Sequence, residues 1–262
     1  MCGIFGIGLM KGHSVCKETI VEMLEPLFVE ATVRGLDASG IASVSQDSIH
    51  VLKTNKQGPR FIKTEEYKDF TAKYIDNRTI QILGHTRAAK IGDSSNNLNN
   101  QPIIAGKYVG VHNGTINNYK EIETQLKTNG YEKRKGEVDS EVIFNLLDYA
   151  KEKESCTTHS SIATASLGLK GTYACACVDS NNPHILWLFK NILPISLYIF
   201  EDVGMVVFAS SEYFIDKAMM GKGIGAPIKR TMSVEEAMGI DFMHNTISEF
   251  AIGHNLMTGV FP

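Results

Sequence analysis

The chain has 262 residues, of which 43% are hydrophobic and 21% charged, and this composition is typical of a globular protein large enough to bury its own core. Its 26 basic and 29 acidic residues give a formal net charge of −3, so neither nucleic acid nor an anionic membrane is indicated as a partner. No apolar run reaches the ~18–20 residues of a membrane span, and the N-terminus lacks the features of a signal peptide. The five cysteines show no CxxC spacing and favour a reducing, cytoplasmic location.

The first hundred residues alternate short apolar segments with segments of helical periodicity. Glycine alternates with isoleucine or phenylalanine near the N-terminus, which is typical of a strand open to close backbone approach. The predicted elements are a strand at 2–9, a helix at 18–33 kinked at Pro26, two strands within 40–53 joined by a turn at 46–48, a helix over about 64–75, a strand at 82–89 and an Asn/Ser-rich surface loop at 93–100.

The remainder of the chain predicts further strands and two amphipathic helices. These elements are a strand at 107–116 ending at Asn113-Gly114, a helix at 117–130 closed by Gly130, a helix at 139–152 with Asp139 or Ser140 as N-cap, four successive strands between 171 and 210, and a short helix with closing strands. Cys175, Cys177 and Trp187 are predicted to lie in the core. We therefore expect one α+β domain over residues 1–262, built from antiparallel strands and two or three long helices.

Cys2 is the first residue whose position indicates chemistry. A small second residue favours removal of Met1, which would make Cys2 N-terminal. Such a residue carries a nucleophilic thiol and an α-amino group whose reference pKa is about 7.7–8.0, so the amine can accept the thiol proton and return it to a leaving group. On its own, however, Met-Cys is more typical of a small apolar residue at the start of a first strand.

Five motifs in order place Cys2 in a wider pattern. They are MCGIFGIG at the N-terminus, RGLDASGIAS at 34–43, GHTRAA at 84–89, HNGTINNYKEI at 112–122 and VDSEVI at 138–143. In this order and spacing they resemble the class II glutamine amidotransferase domain, the N-terminal-nucleophile glutaminase found in glucosamine-6-phosphate synthase and amidophosphoribosyltransferase. The resemblance runs to about residue 250. It implies the four-layer αββα sandwich of two antiparallel sheets, and no metal or organic cofactor.

The resemblance also implies a role for each motif. Cys2 would attack the side-chain amide of L-glutamine, and Asn113 with Gly114 would form the oxyanion hole for the resulting intermediate. Arg87 would bind the α-carboxylate of glutamine, for which a planar fork of donors is suited, and Asp139 would hold the α-ammonium.

Each of these residues also has a purely structural interpretation. Asn-Gly is a common hairpin turn, a carboxylate such as Asp139 at a helix start is a common N-cap, and Arg87 could be a surface arginine at a strand end. The segment 34–40 is as suited to shaping the pocket as to contacting the nucleophile. Its residues in the family pattern are Arg34, Gly35, Asp37, Ser39 and Gly40. His85 and His112 are interpreted as structural.

The segment after Arg87 departs from the family pattern. Many members have an aromatic residue followed by a small residue and threonine, whereas this chain has Ala88, Ala89, Lys90 and Ile91. Two alternatives follow: Lys90 adds a positive charge for the carboxylate, or the loop gates the site differently.

Two other functions remain as alternatives to a glutaminase: an N-terminal cysteine amidase for another amide, and a non-catalytic glutamine-binding or scaffold domain. Arg87 and Asp139 favour a free amino acid over another amide, and the five site residues together disfavour a scaffold. Because family members usually join this domain to one that consumes ammonia, we expect a separate ammonia-accepting synthase subunit or domain as partner.

Overall fold

The computed structural model of the protein describes residues 1–253. Within that range the chain forms thirteen strands, seven α-helices and one 3₁₀ turn at Glu201–Val203. The strands are β1 Gly3–Leu9, β2 Ala38–Ser45, β3 Ile49–Thr54, β4 Thr79–Arg87, β5 Ile103–Ala105, β6 Tyr108–Ile116, β7 Gly171–Asp179, β8 Asn182–Lys190, β9 Ser196–Phe200, β10 Met205–Ala209, β11 Ile228–Thr231, β12 Glu236–Asp241 and β13 Thr246–Ala251. The helices are α1 Lys17–Ala31, α2 Gly58–Phe61, α3 Glu65–Tyr74, α4 Tyr119–Thr128, α5 Asp139–Glu154, α6 Thr158–Gly168 and α7 Glu212–Met219.

The first sheet, sheet A, has the strand order β11-β9-β10-β1-β4-β2-β3, and every pairing in it is antiparallel. The N-terminal strand β1 is central, between β10 and β4. Its glycines leave room for aromatic rings: a Cβ on Gly6 would lie 2.3 Å from the Phe208 ring, and one on Gly8 would lie 1.9 Å from the Phe242 ring. The predicted close approach to this strand is confirmed.

The second sheet, sheet B, has the order β13-β12-β8-β7-β6-β5 and is also antiparallel. In it, Asn113 pairs with Ala174 and Gly114 with Tyr173. The predicted strand end at Asn113-Gly114 and the hairpin alternative are therefore both wrong, because β6 continues to Ile116 while hydrogen-bonded to β7.

Three apolar layers separate the two sheets and the helices. Alternate residues of a strand face opposite sides, so Ile4 of β1 packs between the sheets with Leu83 and Val111, whereas Phe5 faces the helices. Helices α1, α2, α3 and α7 cover the outer face of sheet A. Helices α4, α5 and α6 cover sheet B, where Cys175, Cys177 and Trp187 lie in the core as predicted. The predicted four-layer αββα sandwich is confirmed.

Most helices and strands match the sequence analysis, with instructive differences. The N-cap of α5 is Val138, so the predicted capping by Asp139 or Ser140 is wrong; both side chains bond to groups outside the helix start. Helix α6 was not predicted, because its sequence THSSIATASLG is rich in residues typical of loops. The elements α2 and β5, of four and three residues, are too short to show a period. Across residues 1–253, none of the helices is both long enough and apolar enough to cross a bilayer.

Candidate active site

Cys2 lies where the two sheets meet. It precedes β1 at the end of sheet A where Gly3 pairs with Thr86 of β4. Its backbone N–H donates a 3.0 Å hydrogen bond to Oδ1 of Asn113, on β6 of sheet B. Cys2 is only 9% exposed, and the backbone N–H of Ala88 points to its Sγ at 3.5 Å. The proposed nucleophile is therefore fixed from both sheets.

The surroundings of Cys2 keep its thiol protonated at rest. Burial raises the pKa of the Cys2 thiol, and this effect outweighs the lowering by the Ala88 backbone, the N-terminal ammonium of Met1 and Arg87. The carboxylate of Asp139 raises the pKa further. Such a thiol needs a nearby base to become the reactive thiolate.

Asn113 presents one satisfied and one unsatisfied polar atom. Its Oδ1 accepts the bond from Cys2, whereas Nδ2 is buried without a partner in the described part of the chain. A buried donor left unpaired costs about 1–3 kcal/mol, and this donor is therefore available to a ligand oxygen. The next residue, Gly114, has φ of +145°, and a Cβ there would lie 2.0 Å from the carbonyl oxygen of Thr172. Only glycine fits at this point beside Cys2.

Gln101, which the sequence analysis did not single out, holds the strand that carries Asn113. Its Oε1 accepts from the backbone N–H of His112 at 2.5 Å, and its Nε2 donates to the carbonyl oxygen of the same residue at 3.0 Å. The side-chain amide thus pairs both backbone groups of His112, as a neighbouring strand would. Its position after an Asn-rich run gave no signal, because that composition also suits a surface loop.

The predicted surface loop at 93–100 is only partly exposed. Asn99 and Asn100 are fully buried, which corrects the prediction at its C-terminal end. The Nδ2 of Asn99 donates to Glu137 at 2.9 Å, and Oδ1 of Asn100 accepts from Arg87 at 2.8 Å. The two amides are buried because each pairs with polar groups of another segment.

Arg87 is buried at the end of β4 and lines the site. Its Nη1 donates to Asn100, and its Nη2 donates to the carbonyl oxygens of Ile91 at 2.6 Å and Gly92 at 2.8 Å. Burial lowers the pKa of Arg87, but the neighbouring groups Cys2, Asp37 and Asp139 act in the opposite direction. The guanidinium therefore fixes the loop that follows it and also places a positive charge near Cys2.

Asp139, on the first turn of α5, lines the same cavity from the helix layer that covers sheet B. Its Oδ2 accepts the backbone N–H of Ile116 at 2.7 Å, while Oδ1 makes no hydrogen bond within residues 1–253. The following residue, Ser140, lies 2.8 Å from Nδ1 of His112. The start of α5 is thereby tied to the strand that carries Asn113, with one carboxylate oxygen left for a ligand.

The segment 34–40 supports the end of β4. The backbone N–H of Asp37 donates to the carbonyl oxygen of Arg87 at 2.9 Å, and its Oδ2 accepts the N–H of Ala89 at 2.7 Å. A Cβ on Gly35 would lie 2.5 Å from the carbonyl oxygen of Thr86. These contacts give the segment a role in shaping the pocket.

Two other polar members of this segment, half-buried Arg34 and buried Ser39, pack against neighbours. Arg34 lies over the Phe214 ring at 5.6 Å, with Nη1 buried and unpaired within the described residues, as is Oγ of Ser39. A Cβ on Gly40 would lie 2.1 Å from the carbonyl oxygen of Gln101. Among residues 1–253, no hydrogen bond joins the segment 34–40 to Cys2.

A small cavity of about 30 Å³ lies against Cys2. This volume admits a water molecule but not an amino acid. Met1 is one of the groups that line it, together with Arg87, Lys90, Gly114 and Asp139. The cavity brings together all the proposed site residues except Asn113, whose side chain is fully buried.

Two buried histidines behind the site make the stability of the fold depend on pH. Burial lowers the pKa of His85 to about 3, with Arg87 and His112 acting in the same direction, and burial also lowers the pKa of His112. Between about pH 3 and the ordinary histidine value of about 6.5, the unfolded chain therefore binds more protons than the folded one. We expect the free energy of unfolding to fall below about pH 6.5, by about 1.4 kcal/mol per pH unit for each fully linked histidine.

Urea unfolding between pH 7.5 and 5.0 measures this dependence. His85→Gln should have a shallower dependence than the unsubstituted protein, whereas Ser43→Ala, which removes a buried hydrogen bond but no titratable group, should leave the slope unchanged. Equal slopes for all three proteins would rule out the linkage to His85.

Comparisons with known proteins identify the family to which the chain belongs. A family model described as a glutamine amidotransferase domain matches residues 85–217, about half of the chain. Among curated relatives, glutamine–fructose-6-phosphate aminotransferase (isomerizing) of Wigglesworthia glossinidia brevipalpis is 32% identical over 191 residues, covering 71% of this chain and 28% of that protein. The enzyme of the same name from Sulfurisphaera tokodaii is 30% identical over 192 residues, covering 73% of this chain and 30% of that protein.

The fold is also found in solved structures. Glutamine phosphoribosylpyrophosphate amidotransferase from B. subtilis superposes with a TM-score of 0.72 at 21% identity, covering 95% of this chain and 49% of that one. The chain thus spans about a third of the length of these curated relatives and about half of the solved one. The matched family segment contains Arg87, Asn113, Gly114 and Asp139. The chain belongs to the glutamine amidotransferase domain family.

Proposed function

We propose that this chain is a glutaminase that hydrolyses the side-chain amide of L-glutamine to glutamate and ammonia, with Cys2 as nucleophile. The observation that carries the proposal is the pairing of Cys2 with Asn113. The side-chain Oδ1 of Asn113 accepts a 3.0 Å hydrogen bond from the nitrogen of Cys2, and its Nδ2 is a buried donor without a partner among residues 1–253. This arrangement fixes the base and supplies an oxyanion donor from a single side chain.

The reaction follows from these groups. After Met1 is removed, the α-amine of Cys2 takes the thiol proton and the thiolate attacks the amide carbon of glutamine. The Nδ2 of Asn113 and the N–H of Gly114 stabilise the oxyanion. The amine then returns the proton to the departing nitrogen, which leaves as ammonia, and a glutamyl thioester remains. Water attacks the thioester, releasing glutamate and restoring the thiol.

Removal of Met1 serves two purposes in this proposal. The nitrogen of Cys2 is an amide while Met1 is attached, and an amide nitrogen cannot act as a base at physiological pH. Met1 also lines the 30 Å³ cavity, so its loss enlarges the space beside the thiol.

The amino-acid end of glutamine is recognised by opposite charges. Arg87 supplies positive charge for the α-carboxylate, and the free Oδ1 of Asp139 accepts a hydrogen bond from the α-ammonium. Together they select a free amino acid over a peptide amide.

The ammonia is consumed by a separate synthase subunit or domain in this proposal, and residues 1–262 act as one glutaminase domain. Support comes from the relatives, whose printed names describe transfer of an amino group and of which this chain spans about a third.

Glutamate release from L-glutamine is the direct test. The protein should be prepared with its natural N-terminus, and its intact mass should show the loss of Met1. We expect release from L-glutamine but not from Nα-acetyl-L-glutamine, which lacks the α-ammonium. Equal hydrolysis of the two compounds would favour an amidase of broader specificity. If neither compound were hydrolysed, the result would favour the non-catalytic glutamine-binding or scaffold domain.

Substitutions of the two charged residues should act mainly on binding. We expect Asp139→Asn to raise KM for glutamine by about tenfold or more, since the charge is lost while an oxygen remains to accept the Ile116 N–H. Arg87→Ala should raise KM as well. Steady-state kinetics over a wide glutamine range measures both effects, and two variants with unchanged KM would contradict recognition of the zwitterion.

A further inference from the structure

A second cavity, the distal cavity, lies at the end of the sandwich opposite Cys2. Strand β1 connects the two places, because it begins just after Cys2 and the residues that follow its last residue, Leu9, line the distal cavity. The 7 residues of this strand span roughly 23 Å at about 3.3 Å per residue. The distal cavity has a volume of about 570 Å³, which is within the range of about 300–1,000 Å³ typical of small-molecule sites.

Both sheets contribute residues to the distal cavity. His13 follows β1 of sheet A, and His184 lies on β8 of sheet B. Phe242 joins the two sides: its N–H donates to the carbonyl oxygen of His184 at 3.0 Å, and its carbonyl oxygen accepts from the N–H of Lys11 at 2.7 Å. The N–H of His13 donates to the carbonyl oxygen of Met10 at 3.0 Å and closes a turn. Backbone hydrogen bonds therefore hold one lysine and two histidines around one phenylalanine.

The two histidines of the distal cavity have hydrogen-bonding capacity that the fold does not use. Within residues 1–253 neither ring makes a hydrogen bond, an ion pair or a ring contact, and Nδ1 of each ring is buried. Each of the other histidines in that range has a partner; these are His50, His85, His112, His159 and His244. A buried polar atom without a partner is destabilising, and a ligand that bonds these two rings would relieve that cost.

The charge that the distal cavity offers to a ligand is positive. The backbone of Lys11 bonds to the side chain of Asn245, whereas the Lys11 ammonium makes no hydrogen bond or ion pair within residues 1–253. Arg78, the other cation of the lining, donates to Asp76 through Nε at 3.1 Å and Nη2 at 2.7 Å. Asp47, also in the lining, lies close enough to Arg78 to raise its pKa. The arginine is therefore engaged by carboxylates, and the lysine is not.

The floor of the distal cavity is apolar. Phe242 is buried, and its ring lies against β1, where a Cβ on Gly8 would come within 1.9 Å of it. Met10 and Met243 line the same space, and their unbranched thioether side chains adapt to the shape of a bound molecule. Such a floor fits a hydrocarbon or aromatic body better than a small inorganic anion.

We propose that the distal cavity is a binding site for a small amphiphilic carboxylate. The apolar or aromatic body of the ligand packs on Phe242, and its carboxylate accepts hydrogen bonds from Lys11 and the two histidines. Ammonium and imidazole N–H groups suit a carboxylate, since it has two oxygens and several lone pairs to share among donors. The proposal does not depend on the glutaminase function, because the distal cavity and the cavity beside Cys2 have no lining residue in common.

Calorimetric titration with three probes tests the chemistry of the site. Hydrocinnamate carries a ring and a carboxylate, hydrocinnamide lacks the charge, and propanoate lacks the ring. We expect saturable binding of one hydrocinnamate per chain, with affinities at least about tenfold weaker for the other two probes. Equal affinities for the acid and the amide would contradict recognition of a carboxylate. Absence of saturable binding of hydrocinnamate at millimolar concentrations would overturn the site itself.

Substitutions place the binding in the distal cavity. Lys11→Met removes the unengaged charge from an exposed side chain, so the fold should be retained while the affinity for hydrocinnamate falls about tenfold. Replacing His13 and His184 together by leucine should cause a loss at least as large, with the thermal midpoint reporting whether this double variant is folded. His159→Gln, at a histidine on α6 outside the cavity, should bind as the unsubstituted protein does. If Lys11→Met kept full affinity, the probe would be bound elsewhere and the assignment would be rejected.

Discussion

Replacing Cys2 by alanine is expected to abolish glutamate release and leave the fold intact. The thiol is the only group in the cavity, as described for residues 1–253, that can form a thioester, so the loss should be at least about 10⁴-fold. The change removes one sulfur atom, and the anchoring bond from the backbone N–H of Cys2 to Asn113 is retained. Circular dichroism and the thermal midpoint should therefore stay close to those of the unsubstituted protein.

Two controls make this result specific. Cys16→Ala removes an exposed thiol at the start of α1 and should leave turnover unchanged. A protein with an uncleavable residue ahead of Cys2 keeps the thiol but converts the terminal amine to an amide, and should be inactive. Full activity of the extended protein would mean that another group acts as the base, and substantial activity of Cys2→Ala would reject the nucleophile.

Asn113 is expected to give the second-largest effect. Asn113→Ala removes the buried Nδ2 donor and the acceptor that holds the nitrogen of Cys2, so kcat should fall by about 10²–10³-fold, with a smaller change in KM. Asn113→Asp separates the two functions, because it keeps an oxygen for the Cys2 nitrogen and loses the donor. It also places a negative charge beside the developing oxyanion, so its kcat should be at least as low.

The matched control for the two Asn113 variants is Asn118→Ala. Asn118 is a buried asparagine just beyond β6 that bridges to Gly168 and Lys170. Its loss should lower the unfolding free energy by about 1–3 kcal/mol without a comparable fall in kcat, because it lies outside the cavity. If Asn113→Ala and Asn118→Ala had the same kinetics, the oxyanion role of Asn113 would be excluded.

The sequence predicts the regular elements well where local periodicity is strong. The helices at α1, α4 and α5 and the four strands β7 to β10 lie where their apolar patterns indicate. Elements without a clear period, α2, α6 and β5, were not predicted. The motif residues Cys2, Arg87, Asn113, Gly114 and Asp139 were proposed from the sequence by resemblance, since nothing local in a Cys, an Arg or an Asn-Gly pair specifies catalysis.

The sequence by itself therefore determined most of the strand and helix content, the αββα architecture through its resemblance, and the residues proposed for the chemistry. Only the tertiary structure decided how they meet. The partnership of Cys2 with Asn113 joins two sheets across 111 positions of the chain, and pairing at that separation depends on how the layers pack. The buried amides of Asn99, Asn100 and Gln101, and the carbonyl oxygens that occupy Arg87, depend likewise on distant partners. A buried polar group is stable only with such partners, and these come from segments that no local pattern specifies.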